Sequence, residues 1–381
     1  MKNYLIIFVL CVTALLVNSC GMFGGKSTAK KKEHDGLILV ELRVGNDFYI
    51  DRTGKKVLDC PDFDCGAFSE GIAIAQTPNN KTKKFFDKTG KVLFQGEYES
   101  VQPFSDGMAI VEVKDPNGGL EKRYGAIDRT GKLVVEPKYE ELKPFSEGLA
   151  VAGSKPAPVG NEYIYVKYGY VDKTGKVVIP LEFHEAEPFS EGFAIVRKDQ
   201  YTGARFIDKT GKETDWYEKY RFKEALPFSE GYAAIEVYDE GWFFIDTKGE
   251  KAFELKNDLK FSEVRGFSEG RAAVKIHPES RASEIQALRP WTFIDTGGNL
   301  RKGVSFEEAG DFSEGLAPVK DGSAWIYVKP DETDRDVLEK KTRFEKAESF
   351  AGGLAPVEIN VDSRTKKAYI DTTGKIAWQE D

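Results

Sequence analysis

The side chains that could do chemistry are few and scattered. Three histidines, His34, His184 and His277, lie far apart, and no HExxH, Gly-x-Ser-x-Gly or phosphate-binding loop accompanies them. The 63 Asp and Glu residues make chance carboxylate pairs inevitable, so an acid-pair glycosidase site has no specific signal. Ser27 to Lys30 matches Ser-x-x-Lys, with no partner motif to support it. A recurring Asp-x-Thr-Gly offers one carboxylate per copy, whereas a calcium loop needs several oxygens at alternating positions. Trp216, Trp242, Trp291, Trp325 and Trp378 could stack on sugar rings, although core packing is the commoner role of such residues. These residues imply no catalytic centre, no metal and no cofactor. The chain reads as a binding protein rather than an enzyme.

The cysteines speak of location. Lys2 and an apolar run from Tyr4 to Val17 precede Val17-Asn-Ser-Cys20-Gly21. That run is too short to span a bilayer well and suits the apolar region of a signal peptide. The segment resembles a lipobox. Residues 1–19 are therefore expected to be removed as a lipoprotein signal peptide, and Cys20 to be lipidated. Residues 20–36 would form the lipid anchor and a flexible linker. Its Lys26, Lys30, Lys31 and Lys32 are either drawn to anionic headgroups or simply solvated. Cys60 and Cys65 remain. Export would allow a local disulfide between them, two free thiols are the alternative, and Cys-x4-Cys alone is a poor zinc pattern. The expected location is the bacterial cell envelope, lipid-anchored, in an outer membrane with the chain facing the periplasm or the surface.

A repeat organises everything else, and its cleanest copy runs from Tyr168 to Val196. Its first anchor, Asp-x-Thr-Gly, recurs with Asp51 and Gly54, Asp87 and Gly90, Asp128 and Gly131, Asp172 and Gly175, Asp208 and Gly211, and Asp371 and Gly374. Looser forms start at Asp246 and Asp295. Its second anchor, Phe-Ser-Glu-Gly or Phe-Ser-Asp-Gly, starts at Phe68, Phe104, Phe145, Phe189, Phe228, Phe267 and Phe312, and becomes Phe-Ala-Gly-Gly at Phe350. Asp and Phe are 17 residues apart in five copies, and length variation collects after the Phe. An Asp that accepts hydrogen bonds from the following backbone, and a Gly that takes positive φ, make the first anchor a hairpin turn with a bulge. The flanks, such as Tyr168–Val171 and Lys176–Ile179, have strand composition, and Pro180 or Pro137 ends the second strand. In the second anchor Phe should be buried, Ser and Glu should face solvent, and Gly should relieve the backbone. A third strand follows, such as Phe193–Val196. Three short strands cannot close a core alone, so neighbouring units must share one.

The unit resembles the WG (or KWG) repeat of bacterial proteins. That pattern runs Gly-Tyr-Ile-Asp-x-x-Gly-Lys, then a strand and Pro, then Phe-Ser-Glu-Gly-x-Ala. Residues 168–196 match it nearly throughout, and the resemblance covers roughly residues 37–381. The Trp-Gly pair is replaced by Tyr168-Gly169 and Tyr124-Gly125, where an aromatic ring can still pack. The resemblance implies a repeat-built binding or scaffold protein and carries no shared catalytic residues.

Residues 37–381 hold about nine units. The expected fold is all-β, with tandem three-stranded antiparallel units stacked as an open superhelix or solenoid. A closed propeller-like ring is the alternative, disfavoured because a propeller usually has four to eight blades of four strands. Inserts fall at Asp115 to Arg123, Gly153 to Glu162 and His277 to Pro290, the last with a possible short helix from Glu279 to Leu288. A charged stretch, Asp331 to Lys341, marks a decayed anchor. Sharing one position in the unit, the three inserts should line one edge, which is the expected recognition surface. The net charge of −8, or −9 once Lys2 leaves with the signal peptide, argues against nucleic acid. The expected function is that of a non-enzymatic, monomeric envelope lipoprotein that binds protein or another macromolecule. A glycan-binding or glycan-hydrolysing surface protein is the alternative.

Overall fold

A computed structural model of the protein describes residues 36–42, 47–62, 64–77, 81–115, 121–155, 165–255, 259–278, 290–301, 305–331, 338 and 343–380. The strands are short, antiparallel and joined to their sequence neighbours. Residues 141–183 are typical. Glu141–Leu142, Leu149–Ser154, Lys167–Asp172 and Val177–Phe183 pair in that order. The second and third strands are mostly buried, and the fourth is largely exposed, which places it at the outer rim. Gly169, in the third strand, accompanies a register shift against the fourth strand. A methyl there would meet the Ile179 and Pro180 carbonyl oxygens, so only Gly permits this crossing.

Among the described residues the strands form eight sheets. One has six strands and carries two successive units, linked where Trp242 pairs with Phe261. The units are therefore nine: I (38–59), II (64–97), III (100–139), IV (141–183), V (185–213), VI (222–251), VII (261–300), VIII (308–344) and IX (346–379). Units II, III, IV and IX have four full strands rather than the expected three. The extra strand is the two-residue segment before Pro-Phe-Ser-Glu-Gly, too short to show a period. It belongs to the next unit, so each sequence repeat straddles two units of structure. After the bridge that ends unit V a short helix, α1 (Trp216–Tyr220), stands where a full fourth strand would continue, and it buries Trp216 with its ring centroid 5.0 Å from that of Phe193 and 5.3 Å from that of Phe206.

The core lies between units, because each sheet buries a face that its neighbour must cover. Tyr170 of unit IV packs on Phe189 of unit V with ring centroids 4.9 Å apart. Ile179, Phe183, Ala194 and Ile207 belong to the same cluster.

The expected open superhelix is corrected by the last such interface: the ring closes. Val40, Phe48 and Ile50 of unit I share a cluster with Leu354, Tyr369 and Trp378 of unit IX. Tyr369 Oη donates to the Leu39 carbonyl at 2.9 Å, and the Phe48 and Trp378 rings stand 5.9 Å apart. The count of nine, taken as evidence against a ring, is no physical barrier. Each pair of units adds one wedge, and closure requires only that the terminal wedges bury each other's faces.

The register defines two faces of the ring. Leu149 pairs with Asp172, so the Phe-Ser-Glu-Gly turn and the Asp-x-Thr-Gly turn of unit IV sit at the same end. Met108 with Asp128, Phe193 with Asp208, and Leu354 with Asp371 repeat this placement. We call this end the turn face. The connections between second and third strands, where the inserts occur, all emerge on the opposite, insert face.

Candidate functional site

The two anchors turn out to be fully used by the scaffold. In Asp-x-Thr-Gly, Asp172 Oδ1 accepts from Thr174 Oγ1 at 2.6 Å, from the Thr174 amide at 2.9 Å and from the Lys176 amide at 3.1 Å. Gly175 takes φ +82° and donates its amide to the Asp172 carbonyl at 2.9 Å. Asp51, Asp87, Asp128, Asp208 and Asp371 repeat the arrangement, with Gly54, Gly90, Gly131, Gly211 and Gly374 all at positive φ. The Thr174 hydroxyl holds the Asp172 carboxyl below its ordinary value of 3.8. These aspartates stabilise turns with the same oxygens that a cation would need.

The second anchor corrects an expectation. Ser and Glu of Phe-Ser-Glu-Gly do not simply face solvent; from unit II to unit IX they staple each unit to the next. Ser190 Oγ is buried and donates to the Phe228 carbonyl at 2.7 Å. The same bond runs from Ser69 to Phe104, Ser105 to Phe145, Ser146 to Phe189, Ser229 to Phe267, Ser268 to Phe312 and Ser313 to Phe350. The acid makes a parallel link. Glu230 accepts from the Glu269 and Gly270 amides at 2.7 and 2.8 Å, and Glu269 accepts from those of Glu314 and Gly315 at 2.9 and 2.7 Å. Both central turn residues have positive φ, 52° at Glu191 and 88° at Gly192. That is the type I′ hairpin geometry, where Asn or Gly is the local preference. Glu tolerates the strained conformation because its carboxylate reaches the next turn.

The ladder runs from unit II to unit IX and is missing on both sides of unit I, which has no Phe-Ser-Glu-Gly turn of its own. Unit IX carries Ala351 and Gly352 where the other turns have Ser and an acid, so neither staple can cross from unit IX to unit I. The Tyr369 hydroxyl and the aromatic contacts bridge that seam instead.

On the insert face the exposed aromatics are tyrosines. Tyr165, Tyr201 and Tyr238 are 60, 88 and 67 % exposed, and they lie on the same connection of three consecutive units, IV, V and VI. The five tryptophans are buried or half-buried in the inter-unit clusters. A shallow, open hollow lies nearby, lined by Lys122, Arg123, Tyr124, Glu140, Lys155 and Val166. Arg123 is tied to Asp115 at 3.3 Å and Glu121 at 3.1 Å. Residues 116–120, 156–164, 279–289 and most of 331–341 lie outside the described residues, including the expected helix from Glu279 to Leu288. The described insert ends are more strand-like than expected, since Arg123 pairs with Val113 and Ser154 with Lys167.

The rim carries a second set of exposed apolar residues. Val57 in unit I, Val92 and Leu93 in II, Leu133 in III, Val177 and Val178 in IV and Ile376 in IX are 39 to 45 % exposed. Each follows the Gly-Lys of an Asp-x-Thr-Gly turn closely.

Cys60 and Cys65 are disulfide-bonded with Cα atoms 6.0 Å apart, at the passage from unit I to unit II. Cys20 lies outside the described residues. Tyr168 and Tyr124, in the place of the family Trp, are half-buried and donate to Glu141 at 2.7 Å and Glu112 at 3.1 Å. Among the described residues no group of three His, Cys, Asp or Glu could hold a metal ion, and no helix is long and apolar enough to cross a membrane.

No curated protein sequence matches this chain. Among solved structures, a eukaryotic initiation factor is similar over 88 % of this chain and 93 % of its own, with a TM-score of 0.53 at 10 % identity. Prolyl oligopeptidase B from Galerina marginata covers 91 % of this chain and 51 % of its own, with a TM-score of 0.39 at 10 % identity. BamB from Moraxella catarrhalis covers 63 and 76 %, with a TM-score of 0.31 at 12 % identity. At such identity the first likeness concerns fold alone. The model of the WG containing repeat matches residues 85–115, 124–152, 168–201, 205–240, 242–277 and 291–325. With more than half of its length matched, and with the anchors of that repeat stapling units II to IX in sequence, the chain belongs to the WG-repeat family.

Proposed function

We propose that this protein is a non-enzymatic, lipid-anchored envelope protein whose ring is a scaffold for binding another polypeptide on its insert face. The observation that carries the reading is the placement of Tyr165, Tyr201 and Tyr238. They are the most exposed large hydrophobic side chains among the described residues, and they share one connection of three consecutive units. Tyr offers a large, rigid contact surface with a polar tip at low cost in side-chain entropy, which suits protein recognition. The polar groups of the repeat support the reading from the other side, because the anchor Asp, Ser and Glu are engaged in turns and staples.

The test is capture from an envelope extract with the parent chain and with Tyr165→Ser/Tyr201→Ser/Tyr238→Ser. The expected result is loss of a captured polypeptide with an unchanged melting temperature. Full retention sinks the reading, and loss of binding to a glycan array instead of to a polypeptide moves it to carbohydrate. Replacing residues 156–161 with a Gly-Ser link tests the neighbouring insert. The deletion starts after Lys155, because the Lys155 amide donates to Glu140 at 2.7 Å. For the anchor, Cys20→Ser should abolish metabolic labelling by a fatty acid; unchanged labelling excludes lipidation at that residue.

A further inference from the structure

Among the described residues the exposed apolar side chains of the rim are not spread around the ring. All seven fall in units IX, I, II, III and IV, which are consecutive once the ring is closed. The matching position in unit V holds Glu213, which pairs with Lys198 at 2.5 Å and Arg205 at 3.2 Å. Charge follows the same division. The five Asp-x-Thr-Gly turns of the arc (51–56, 87–91, 128–132, 172–176 and 371–375) hold ten Lys and Arg against five Asp. The turns of units V, VI and VII (208–212, 246–250 and 295–299) hold three cations against four acids. Lys55, Lys91, Lys132, Lys176 and Lys375 are exposed and make no side-chain ion pair among the described residues. The acids of the Phe-Ser-Glu-Gly turns lie on the same face, Glu70, Asp106 and Glu147 in the arc and Glu191, Glu230 and Glu269 in units V to VII. With them included, the arc holds ten cations against eight acids and the other three units three against seven. A protein of net charge −8 thus presents, among the described residues, one net-positive stretch of turns edged with aliphatic side chains.

We propose that this arc of the turn face docks on an anionic lipid surface. Lysines beside exposed aliphatics, at one height on one face, are the chemistry of an interfacial contact: cations attract the headgroups and short apolar side chains enter between them. The entry of the chain agrees with this orientation. Ile38 pairs with Ile50, next to the turn at Asp51, so the chain enters unit I on the turn face and inside the arc. The ring would then lie with its turn face to the bilayer and with Tyr165, Tyr201 and Tyr238 pointing away. The site consists of ring residues alone and does not depend on the polypeptide partner or on lipid at Cys20.

The experiment is vesicle flotation with a chain that starts at Gly21, which keeps every described residue and lacks the apolar segment. The vesicles are phosphatidylcholine with and without phosphatidylglycerol. The parent should float with the anionic vesicles only, and less as salt rises. Lys91→Glu/Lys132→Glu/Lys176→Glu should weaken partition about tenfold or more. Val92→Ser/Leu93→Ser/Val177→Ser/Val178→Ser should weaken it at an unchanged melting temperature. Lys212→Glu/Lys248→Glu, outside the arc, should not. Equal partition of all variants overturns the proposal. So does binding that disappears only when residues 21–35 are also removed, since the linker lysines then carry it. A parent that forms dimers dissolved by the aliphatic variant, without floating, assigns the rim to a second copy and overturns it too.

Discussion

Ser190→Ala is the sharpest probe of how the ring holds together. Ser190 is 4 % exposed, and its hydroxyl donates to the Phe228 carbonyl at 2.7 Å across the boundary of units V and VI. The substitution leaves the backbone and the aromatic contacts alone but strips a carbonyl of this donor. An ordinary hydrogen bond contributes about 1 kcal/mol net, while a buried acceptor left without a partner costs about 1–3 kcal/mol. The burial of Ser190 favours the larger range. For a chain of this length about 2 °C of melting temperature corresponds to each kcal/mol, so a fall of about 2–6 °C is expected. The control is Lys212→Ala, an exposed side chain in the same unit, for which about 0.5 kcal/mol or less is expected. The assay is thermal or urea unfolding of both variants under one condition. Indistinguishable midpoints would refute the staple as a source of stability and return Ser to the solvated role its residue type suggests.

Gly169→Ala should cost more than about 2 kcal/mol, since its methyl meets two backbone carbonyls that cannot rotate away. Gly175→Val should cost about 1–3 kcal/mol through its positive φ, whereas Lys173→Ala removes only a half-exposed ion pair to Asp106 at 2.8 Å and should cost about 1 kcal/mol or less; equal melting shifts of the two would contradict the turn geometry. Acid should destabilise the ring through the repeated aspartates. Their folded pKa values lie below the ordinary 3.8, so their stabilisation is complete above that value and is lost as pH falls through the lower folded values; Thr130→Val/Thr174→Val/Thr210→Val should flatten the acid limb of a stability-against-pH curve. Cys60→Ser/Cys65→Ser should lower stability by about 2 kcal/mol, the loop-closure value for so short a crosslink, and a variant as stable as the parent would assign the bond no such role.

What the sequence made legible was the grammar of the turns. Asp172 and Gly175 are legible from residue type because their roles are local: one side chain accepting from the amides two and four residues on, and one backbone torsion. Ser190 and Glu191 were misread for the complementary reason. Their partners are Phe228 and Gly231, about 40 positions on, and nothing in the spacing of one copy says that the turns touch. The closed ring was hidden in the same way, because contacts such as Tyr369 with Leu39 join the ends of the chain. One signal was available. A motif that is Phe-Ser-Glu-Gly seven times, counting Asp for Glu once, and Phe-Ala-Gly-Gly only in its last copy is a motif whose side chains hand something forward. The tyrosines of the insert face carry no pattern at all, and only the register of the strands on either side brings them to one face.

Because each sequence repeat straddles two units, the gene for such a ring has a useful arithmetic. An unequal crossover between two copies of the Asp-x-Thr-Gly codons removes or adds the fourth strand of one unit together with the first, second and third strands of its neighbour, and the remainder rejoins as whole units. Every interface formed by the new junction again matches a Phe-Ser-Glu-Gly turn with another. The ring can therefore change its circumference in evolution without ever passing through a half-built sheet. The final copy, whose Ala351 and Gly352 send nothing across the seam, and unit I, which has no Phe-Ser-Glu-Gly turn, must keep their places at the ends.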